Sequence, residues 1–479
     1  MNKETDMRKT KVVCTLGPST DDEKVLEQLI EEGMNVARCN FSHGSHEEHK
    51  ERMDKVKRIR KKCDKPVAIL LDTKGPEIRT GNFVDDKVYV KAGQTFTLVA
   101  DKEVMGTNEK AGITFADLYK DVKPGVVIMI DDGLIEMEVV KIEGTDIVCA
   151  VKNEGVISNH KGVNVPDVHI SMPYMSEQDK SDILFGIKED VDYIAASFTR
   201  TADDVKELRK FLDDNGGKDI NIIAKIENSE GIINVDGIIE EADAVMVARG
   251  DMGVELPEEE VPIIQKMIIK KVYEAGKQVI IATQMLESMI NNPRPTRAET
   301  ADVANAIYDG TSAIMLSGET AAGKFPVEAV ATMARIAERT EMDVNYKQRF
   351  FNNHNNHRSD ITEAVCHATC MTAYDLDAKS ILTVTKSGRS AKMISKYRPD
   401  CMIIAGSTEE KVVRQLNMSW GVSPVLIKEK KHVLELFDYA VEVAKEKGLV
   451  ETDDIVVITS GVPLGKSGTT NMIKVHTVE

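Results

Sequence analysis

Charged side chains directly follow two apolar runs near the middle of the chain. Lys225 and Glu227 end one run, and Asp251 follows the next. Side chains two residues apart on a strand leave the same face, so we expect Lys225 and Glu227 to lie side by side. Two carboxylates beside a lysine suit a hard divalent cation that keeps open positions for substrate oxygens and water. The alternative is a Lys–Glu ion pair that only caps the strands.

Residues after other apolar runs are suited to binding anions. Arg38 and Arg79 carry planar guanidinium groups that can hold a phosphate or carboxylate with two hydrogen bonds, although each could simply pair with a nearby acidic side chain. The segment 248–253 has small residues where a backbone must approach a ligand, and its amides precede a predicted short helix, which favours anions. An ordinary turn is the alternative for this segment.

A third cluster combines one full charge with several neutral oxygens. It consists of Asn40, Ser42, Asp72 and Thr73, which follow two neighbouring apolar runs. This inventory suits a monovalent cation better than magnesium. Routine hydrogen bonding among these residues is the alternative.

These residues need a scaffold that brings the ends of many strands together. Apolar, Val- and Ile-rich runs alternate with amphipathic stretches, and the predicted strands are residues 11–16, 35–40, 67–71, 193–197, 221–225, 244–248, 278–282 and 313–316. Eight such runs, each followed by a helix, predict an α/β fold of the (β/α)₈ TIM-barrel type, with catalytic residues at the carboxyl ends of the strands. A doubly wound open sheet is the alternative.

Two further domains are predicted around this barrel. The βα rhythm stops after Asp72, and short alternating strands separated by turns indicate an inserted all-β domain over residues 74–167. The barrel then comprises residues 1–73 and 168–345. A polar segment at 352–357 is typical of a linker, and residues 346–479 form a C-terminal α/β domain.

The C-terminal domain contains two candidate phosphate-binding loops. One follows a predicted strand and is rich in hydroxyl groups, and the other is a glycine-rich polar loop at 465–470. The candidate residues are Thr385, Lys386, Ser387, Gly388, Arg389, Ser390 and Gly468. Two ordinary surface turns are the alternative.

Composition excludes several classes of protein. The chain has 479 residues and a net charge of −17, which argues against nucleic acid as the main partner. The N-terminus resembles no signal peptide, and no run approaches the ~18 apolar residues of a membrane span, so we expect a cytoplasmic protein with no membrane partner. The seven cysteines lack CxxC spacing, which argues against a disulfide framework or a zinc site.

Five of these segments together resemble the signature segments of pyruvate kinase. They are residues 34–44, 71–81, 224–228, 248–251 and 282–286, they occur in the family's order, and the similarity runs from about Lys9 to the C-terminus. The resemblance implies transfer of the phosphoryl group of phosphoenolpyruvate to ADP, giving pyruvate and ATP. It also implies that the inserted domain acts as a lid over the barrel mouth.

The resemblance further implies a role for each candidate residue. Mg²⁺ or Mn²⁺ would be held by Glu227 and Asp251, and Lys225 would stabilise charge on the phosphoryl group and the enolate oxygen. The residues expected around the substrate are Arg38, Lys225, Gly250, Asp251 and Thr283. Those expected at the nucleotide are Asn40, His43, Arg79 and Lys161. Those expected at K⁺ are Asn40, Ser42, Asp72 and Thr73.

Dependence on K⁺ is expected because K⁺-dependent family members have a glutamate at the position of Glu77. We expect the proton for enolpyruvate to come from Thr283 or a water chain near it that includes Ser317 and Glu319. The resemblance also implies a homotetramer and a sugar-phosphate effector, in many members fructose 1,6-bisphosphate.

Two other functions remain to be distinguished from this one. A metal-dependent lyase that uses phosphoenolpyruvate or pyruvate could share the barrel and the metal ligands, but it would not need Arg79, Lys161 or the lid. A metabolite sensor without activity would be expected to lack some of Lys225, Glu227, Asp251 and Thr283, and all four are present.

Overall fold

The computed structural model describes residues 8–352, 360–463 and 470–479. The chain begins with three strands and two helices of a barrel: β1 (Lys11–Thr15), α1 (Glu23–Glu31), β2 (Val36–Asn40), α2 (His46–Lys62) and β3 (Ala68–Asp72). Helix α2 begins after Ser45, whose side chain accepts from the Glu48 amide while the Glu48 carboxylate accepts from the Ser45 amide. This reciprocal cap fixes the point at which the loop after β2 turns into a helix.

A separate β unit follows. Its elements are β4 (Ile78–Arg79), β5 (Lys87–Val90), β6 (Thr95–Val99), β7 (Lys110–Gly112), α3 (Leu118–Asp121), β8 (Val127–Ile130), β9 (Ile135–Glu143), β10 (Asp146–Val151), β11 (Gly155–Ser158) and β12 (Gly162–Asn164). Seven strands form one sheet in the order β4-β12-β8-β9-β10-β6-β7, and β11 pairs with β5. The unit has a hydrophobic core of its own, which includes Phe96, Ile128 and Met137.

The chain then completes the barrel. The remaining elements are α4 (Glu177–Lys188), β13 (Tyr193–Ala196), α5 (Ala202–Asp214), β14 (Asn221–Ile226), α6 (Ser229–Ile233), α7 (Val235–Glu241), β15 (Ala244–Ala248), α8 (Arg249–Glu255), α9 (Val261–Glu274), β16 (Gln278–Ala282), α10 (Arg297–Asp309), β17 (Ala313–Leu316), α11 (Gly318–Ala321) and α12 (Pro326–Glu341). Short 3-10 helices lie at Pro18–Thr20 and Glu287–Ile290.

Eight parallel strands close into a barrel in the order β1-β17-β16-β15-β14-β13-β3-β2. The predicted TIM barrel is confirmed, and the open sheet is wrong because β1 pairs with both β2 and β17. Alternate residues of each strand face the helices or the barrel interior. In β3, Ile69 and Leu71 belong to the outer core, whereas Ala68 and Leu70 belong to the inner one.

The C-terminal domain contains a five-stranded sheet. Its elements are α13 (Tyr346–Asn352), α14 (Ile361–Asp375), β18 (Ser380–Val384), α15 (Arg389–Lys396), β19 (Met402–Ser407), α16 (Glu410–Leu416), β20 (Val422–Leu426), α17 (Val433–Glu446), β21 (Ile455–Gly461) and β22 (Thr470–Thr477). The strand order is β20-β19-β18-β21-β22, with β22 antiparallel. Asn352, which the sequence analysis placed in a linker, is the last residue of α13, and the rest of that predicted linker lies outside the described residues.

The C-terminal domain seals the end of the barrel at which the strands begin. Met418 is fully buried within the inner barrel cluster, and Arg414 Nε lies 2.7 Å from the carboxylate of the buried Asp192. The Tyr193 hydroxyl donates to the Gln415 carbonyl. The carboxyl ends of the strands are therefore the end of the barrel that is left for a ligand. No helix in the described parts of the chain is long and apolar enough to span a membrane.

Candidate active site

Lys225 lies at the centre of a buried group of charges at the carboxyl ends of the strands. It continues the inward-facing row of β14 after Ile223, and only 8% of it is exposed. Its Nζ lies 2.9 Å from Glu227 Oε1 and 3.2 Å from Asp72 Oδ1, and it donates to Ser197 Oγ at 2.8 Å. Burial alone would lower the pKa of Lys225, but Asp72 and Glu227 outweigh it and raise that pKa above its ordinary value. The ammonium therefore stays charged.

Asp72 joins Lys225 to Arg38 across the end of the barrel. The carboxylate lies 2.6 Å from Arg38 Nε and accepts from Ser197 Oγ at 3.0 Å. Burial opposes ionisation of Asp72, yet Arg38 and Lys225 lower its pKa below the ordinary value. The interior position of Arg38 follows from alternation in β2, in which Val36 also faces inward.

The three cations predicted to bind anions are paired with carboxylates. Arg38 also donates to Thr15 Oγ1 at 2.9 Å, and Arg79 Nε and Nη2 both contact Glu77 at 2.7 Å. Lys161 Nζ lies 2.8 Å from Asp131. The simpler alternative of local pairing is therefore what the structure shows for both arginines. The hydrogen bonds of Arg38 come from Nε and Nη1.

Glu227 directly follows β14, and Asp251 lies in the first turn of α8, which follows the neighbouring strand β15. Glu227 Oε2 accepts from the Phe198 amide at 2.5 Å. Burial raises the pKa of Glu227, and the nearby charge of Asp251 raises it further, against the effect of Lys225. The described residues contain no group of three or more His, Cys, Asp or Glu side chains arranged to hold a metal. A cation here would need substrate oxygens and water as further ligands.

Thr283 is held in a strained backbone conformation. Its φ is +67° and that of Gln284 is +55°, a region that β-branched residues rarely adopt and that is typical of functional sites. Thr283 Oγ1 accepts from the Gly250 amide at 2.8 Å and donates to the Ala282 carbonyl at 2.6 Å. Arg249 stabilises this turn, because one guanidinium nitrogen contacts Asp302 and another donates to the Thr283 carbonyl at 2.7 Å.

Next to Thr283 lie a buried acid and a buried hydroxyl. Glu319 accepts from the amides of Leu286 and Ser317 at 3.0 and 2.7 Å, and burial raises its pKa. Ser317 Oγ is buried and has no hydrogen-bond partner among the described residues.

Two cavities meet at Asp251. One of about 500 Å³ is lined by Arg79, Lys161 and Phe198, and the other of about 800 Å³ is lined by Gly250, Thr283, Ser317 and Glu319. Asp251 lines both cavities. Arg79 and Lys161, predicted at the nucleotide, thus line one cavity, and Gly250 and Thr283, predicted at the substrate, line the other.

The predicted K⁺ residues lie at two neighbouring strand ends. Asn40 pairs with Asp72 in the register of β2 and β3, and Asn40 Oδ1 accepts from the Ser42 amide at 3.2 Å. Thr73 Oγ1 donates to the Ala195 carbonyl at 3.2 Å. His43 lies in the same loop as Ser42, between β2 and α2.

Sequence reasoning missed Ser197 and Phe198. Ser197 contacts both Lys225 and Asp72, and the Phe198 amide contacts Glu227, with Phe198 at a φ of +51°. Both follow β13, whose end was not compared with the other strand ends. Tyr193 and Ala195 face the barrel interior, so alternation places Ser197 there as well. That pattern could have identified Ser197 from the sequence.

The described effector candidates lie around the turn between β18 and α15 in the C-terminal domain. Thr385 Oγ1 accepts from the Gly388 amide at 3.0 Å, and Gly388 has a φ of +79°, which a glycine adopts without strain. Arg389 lies 2.8 Å from Asp360, and Ser390 Oγ lies 2.5 Å from Thr470 Oγ1. Lys386 and Ser387 lie in the turn between β18 and α15, whereas Gly468 lies outside the described residues.

Comparison with known proteins identifies the family. Residues 7–330 match the family model described as pyruvate kinase, barrel domain, and residues 363–476 match the model described as pyruvate kinase, alpha/beta domain. The chain belongs to the pyruvate kinase family. The resemblance found in the sequence is thus confirmed.

Individual pyruvate kinases are similar along nearly the whole chain. The pyruvate kinase of Clostridium acetobutylicum is 52% identical over 473 residues, covering 99% of this chain and 100% of that protein. That of Clostridium perfringens is 49% identical, covering 98% and 100%. A crystal structure of a pyruvate kinase from Cryptosporidium parvum has a TM-score of 0.95 at 39% identity, covering 99% of this chain and 98% of that one.

We expect Gly75→Ala to damage the site through Ser197. A Cβ at residue 75 would lie 2.8 Å from Ser197 Cβ and 2.9 Å from the Ser197 carbonyl oxygen, so Ser197 would have to move away from Lys225. Because small displacements of catalytic groups are costly, pyruvate kinase activity should fall about tenfold or more. The matched control is Gly93→Ala, which has a similar positive φ and no atom within 4 Å of its Cβ. Equal loss of activity in both variants would contradict the expectation.

Proposed function

We propose that this chain transfers the phosphoryl group of phosphoenolpyruvate to ADP, giving pyruvate and ATP. The observation that carries the proposal is the position of Lys225, which is buried between Asp72 and Glu227 at the carboxyl ends of the barrel strands. Phosphoryl transfer needs positioned charge more than covalent help, since the transferred group spreads negative charge over its oxygens. A buried ammonium that remains charged meets that need.

Glu227 and Asp251 are the proposed ligands of Mg²⁺ or Mn²⁺. Their carboxylate oxygens match the preference of hard cations, and Lys225 lies only 2.9 Å from Glu227. When bound, the cation would polarise phosphoryl and enolate oxygens.

Arg38 and Thr283 are the proposed contacts at the two ends of phosphoenolpyruvate. Arg38 would contact the phosphoryl group, while its contact with Asp72 fixes the guanidinium plane. Thr283 and the amides of Gly250 and Asp251 would hold the substrate carboxylate. Arg79, Lys161, Asn40 and His43 are the proposed nucleotide contacts, and the β unit that carries Lys161 would close over them as a lid.

The C-terminal domain is the proposed regulatory domain. Thr385, Ser390 and the turn between them would bind the phosphate of a sugar-phosphate effector such as fructose 1,6-bisphosphate. We propose domain limits at residues 73/74, 167/168 and 345/346, and a homotetrameric assembly as in the family resemblance.

A coupled assay of pyruvate formation tests the main proposal. We expect pyruvate to form only when phosphoenolpyruvate, ADP and Mg²⁺ are all present. Glu227→Gln should lower kcat about 100-fold or more, because it removes a proposed ligand of the cation that compensates the charge of the phosphoryl oxygens. A rate of pyruvate formation that does not depend on ADP would favour the lyase alternative. No ADP-dependent pyruvate at all would overturn the proposal.

Asn40, Ser42, Asp72 and Thr73 are the proposed K⁺ ligands, and activity should depend on K⁺. We expect the protein to lose most activity in a buffer whose only monovalent cation is tetramethylammonium. Glu77→Lys should reduce this dependence, because an ammonium near the site supplies a positive charge. Full activity of the unmodified protein without K⁺ would sink the idea.

Thr283, or a water held near it by Ser317 and Glu319, is the proposed proton donor to enolpyruvate. Thr283→Ala should leave divalent-metal binding unchanged and slow ketonisation about 100-fold, the usual scale for a lost general acid. Thr283→Ser keeps the hydroxyl and should retain most of the rate. The rate is measured by ketonisation of enolpyruvate, and an unchanged value in Thr283→Ala would refute the role.

A further inference from the structure

His49 of α2 contacts the loop between β2 and α2. This loop carries Ser42 and His43, which the proposed function assigns to K⁺ and to the nucleotide. His49 lies in the first turns of α2 and is only 2% exposed. His49 is not one of the proposed ligands of K⁺, the divalent cation, the substrate or the nucleotide.

His49 contacts the loop by a hydrogen bond. Its Nε2 lies 2.8 Å from the carbonyl oxygen of His43. A carbonyl can only accept, so Nε2 carries the proton and donates. Nδ1 is buried with no hydrogen-bond partner among the described residues. The hydrogen bond therefore requires a proton on Nε2 and directs this donor at the loop.

His49 contacts the loop a second time by stacking. Its ring lies 4.0 Å from the ring of Phe41 at an interplanar angle of 14°. Phe41 stands between Asn40 and Ser42, and its other neighbours are the rings of His46 and Phe185. Phe41 is only 7% exposed, so its ring is buried among these three rings. Such stacking adds to the stability given by burial alone.

The surroundings of His49 favour its neutral form. Burial and the charge of Arg52 lower its pKa, against the opposing effects of the His43 carbonyl, Glu48 and Asp182. A neutral ring keeps the stack with Phe41 free of an unsolvated charge. His49 is thus suited to a structural role in which its ring stays uncharged.

We propose that His49 is a positioning residue for the loop that carries Ser42 and His43. One ring nitrogen fixes the His43 carbonyl and one ring face fixes Phe41, so the backbone on both sides of Ser42 is immobilised. The inference rests on the proposed function, because the loop matters only if it binds K⁺ and ADP. His49 acts through the loop and touches no ligand itself.

Two substitutions separate the two contacts. His49→Phe keeps an aromatic ring against Phe41 but leaves the His43 carbonyl without its donor, whereas His49→Gln keeps a donor at a similar reach and loses the ring. We expect His49→Phe to raise the ADP dissociation constant, measured by calorimetry, and the half-saturating K⁺ concentration by about fivefold each, the effect of one lost hydrogen bond. The KM for phosphoenolpyruvate should change less than about twofold, and His49→Gln should recover most of the ADP affinity.

Met53→Ala is the matched control. Met53 is fully buried on the same face of α2, one turn beyond His49, and neither hydrogen-bonds nor stacks with the loop. It should lower the melting temperature while leaving ADP and K⁺ values near those of the unmodified protein. The inference is overturned if His49→Phe leaves both values unchanged, or if Met53→Ala raises them equally. If the unmodified protein forms no ADP-dependent pyruvate, the proposed function fails instead.

Discussion

Several charged side chains at the barrel mouth are buried, and each must be compensated by a neighbouring charge. Arg38, Asp72, Lys225 and Glu227 are all less than 10% exposed and form a continuous chain of contacts. An isolated buried charge costs several kcal/mol, so each member depends on its neighbours. Because Arg38, Asp72 and Lys225 belong to β2, β3 and β14, their pairing connects these strands. Ser197, which directly follows β13, bridges Asp72 and Lys225, and β13 lies between β3 and β14 in the barrel.

The rest of the fold directs ligands to this charged end. At the opposite end, Met418 and the contact between Arg414 and Asp192 close the barrel with the C-terminal domain. The β unit after β3 lines one cavity together with Asp251, and the strained turn at Thr283 lines the other. The buried charges and both cavities thus lie at the carboxyl end of the barrel.

Alternation along the strands explains what could be predicted from the sequence. The eight strands were located within one or two residues, and Lys225 and Glu227 proved to be paired, since a period of two fixes the face of each side chain. The pairing of Arg38 with Asp72 was foreseen only as an alternative, because partners on different strands depend on barrel register. The positive φ of Thr283 could not be predicted, since a threonine gives no local signal for it and the surrounding contacts impose it. Ser197 was missed although the same alternation indicates it.

A double-mutant cycle on Arg38 and Asp72 tests most directly whether buried charge compensation holds the site together. Removing either partner leaves the other buried without its main counter-charge, so Arg38→Met and Asp72→Asn should each lower the free energy of unfolding by about 3 kcal/mol. The double variant keeps the contact of Lys225 with Glu227. Urea unfolding followed by circular dichroism should therefore show a combined cost at least about 2 kcal/mol smaller than the sum of the single costs. Strictly additive costs would contradict the account.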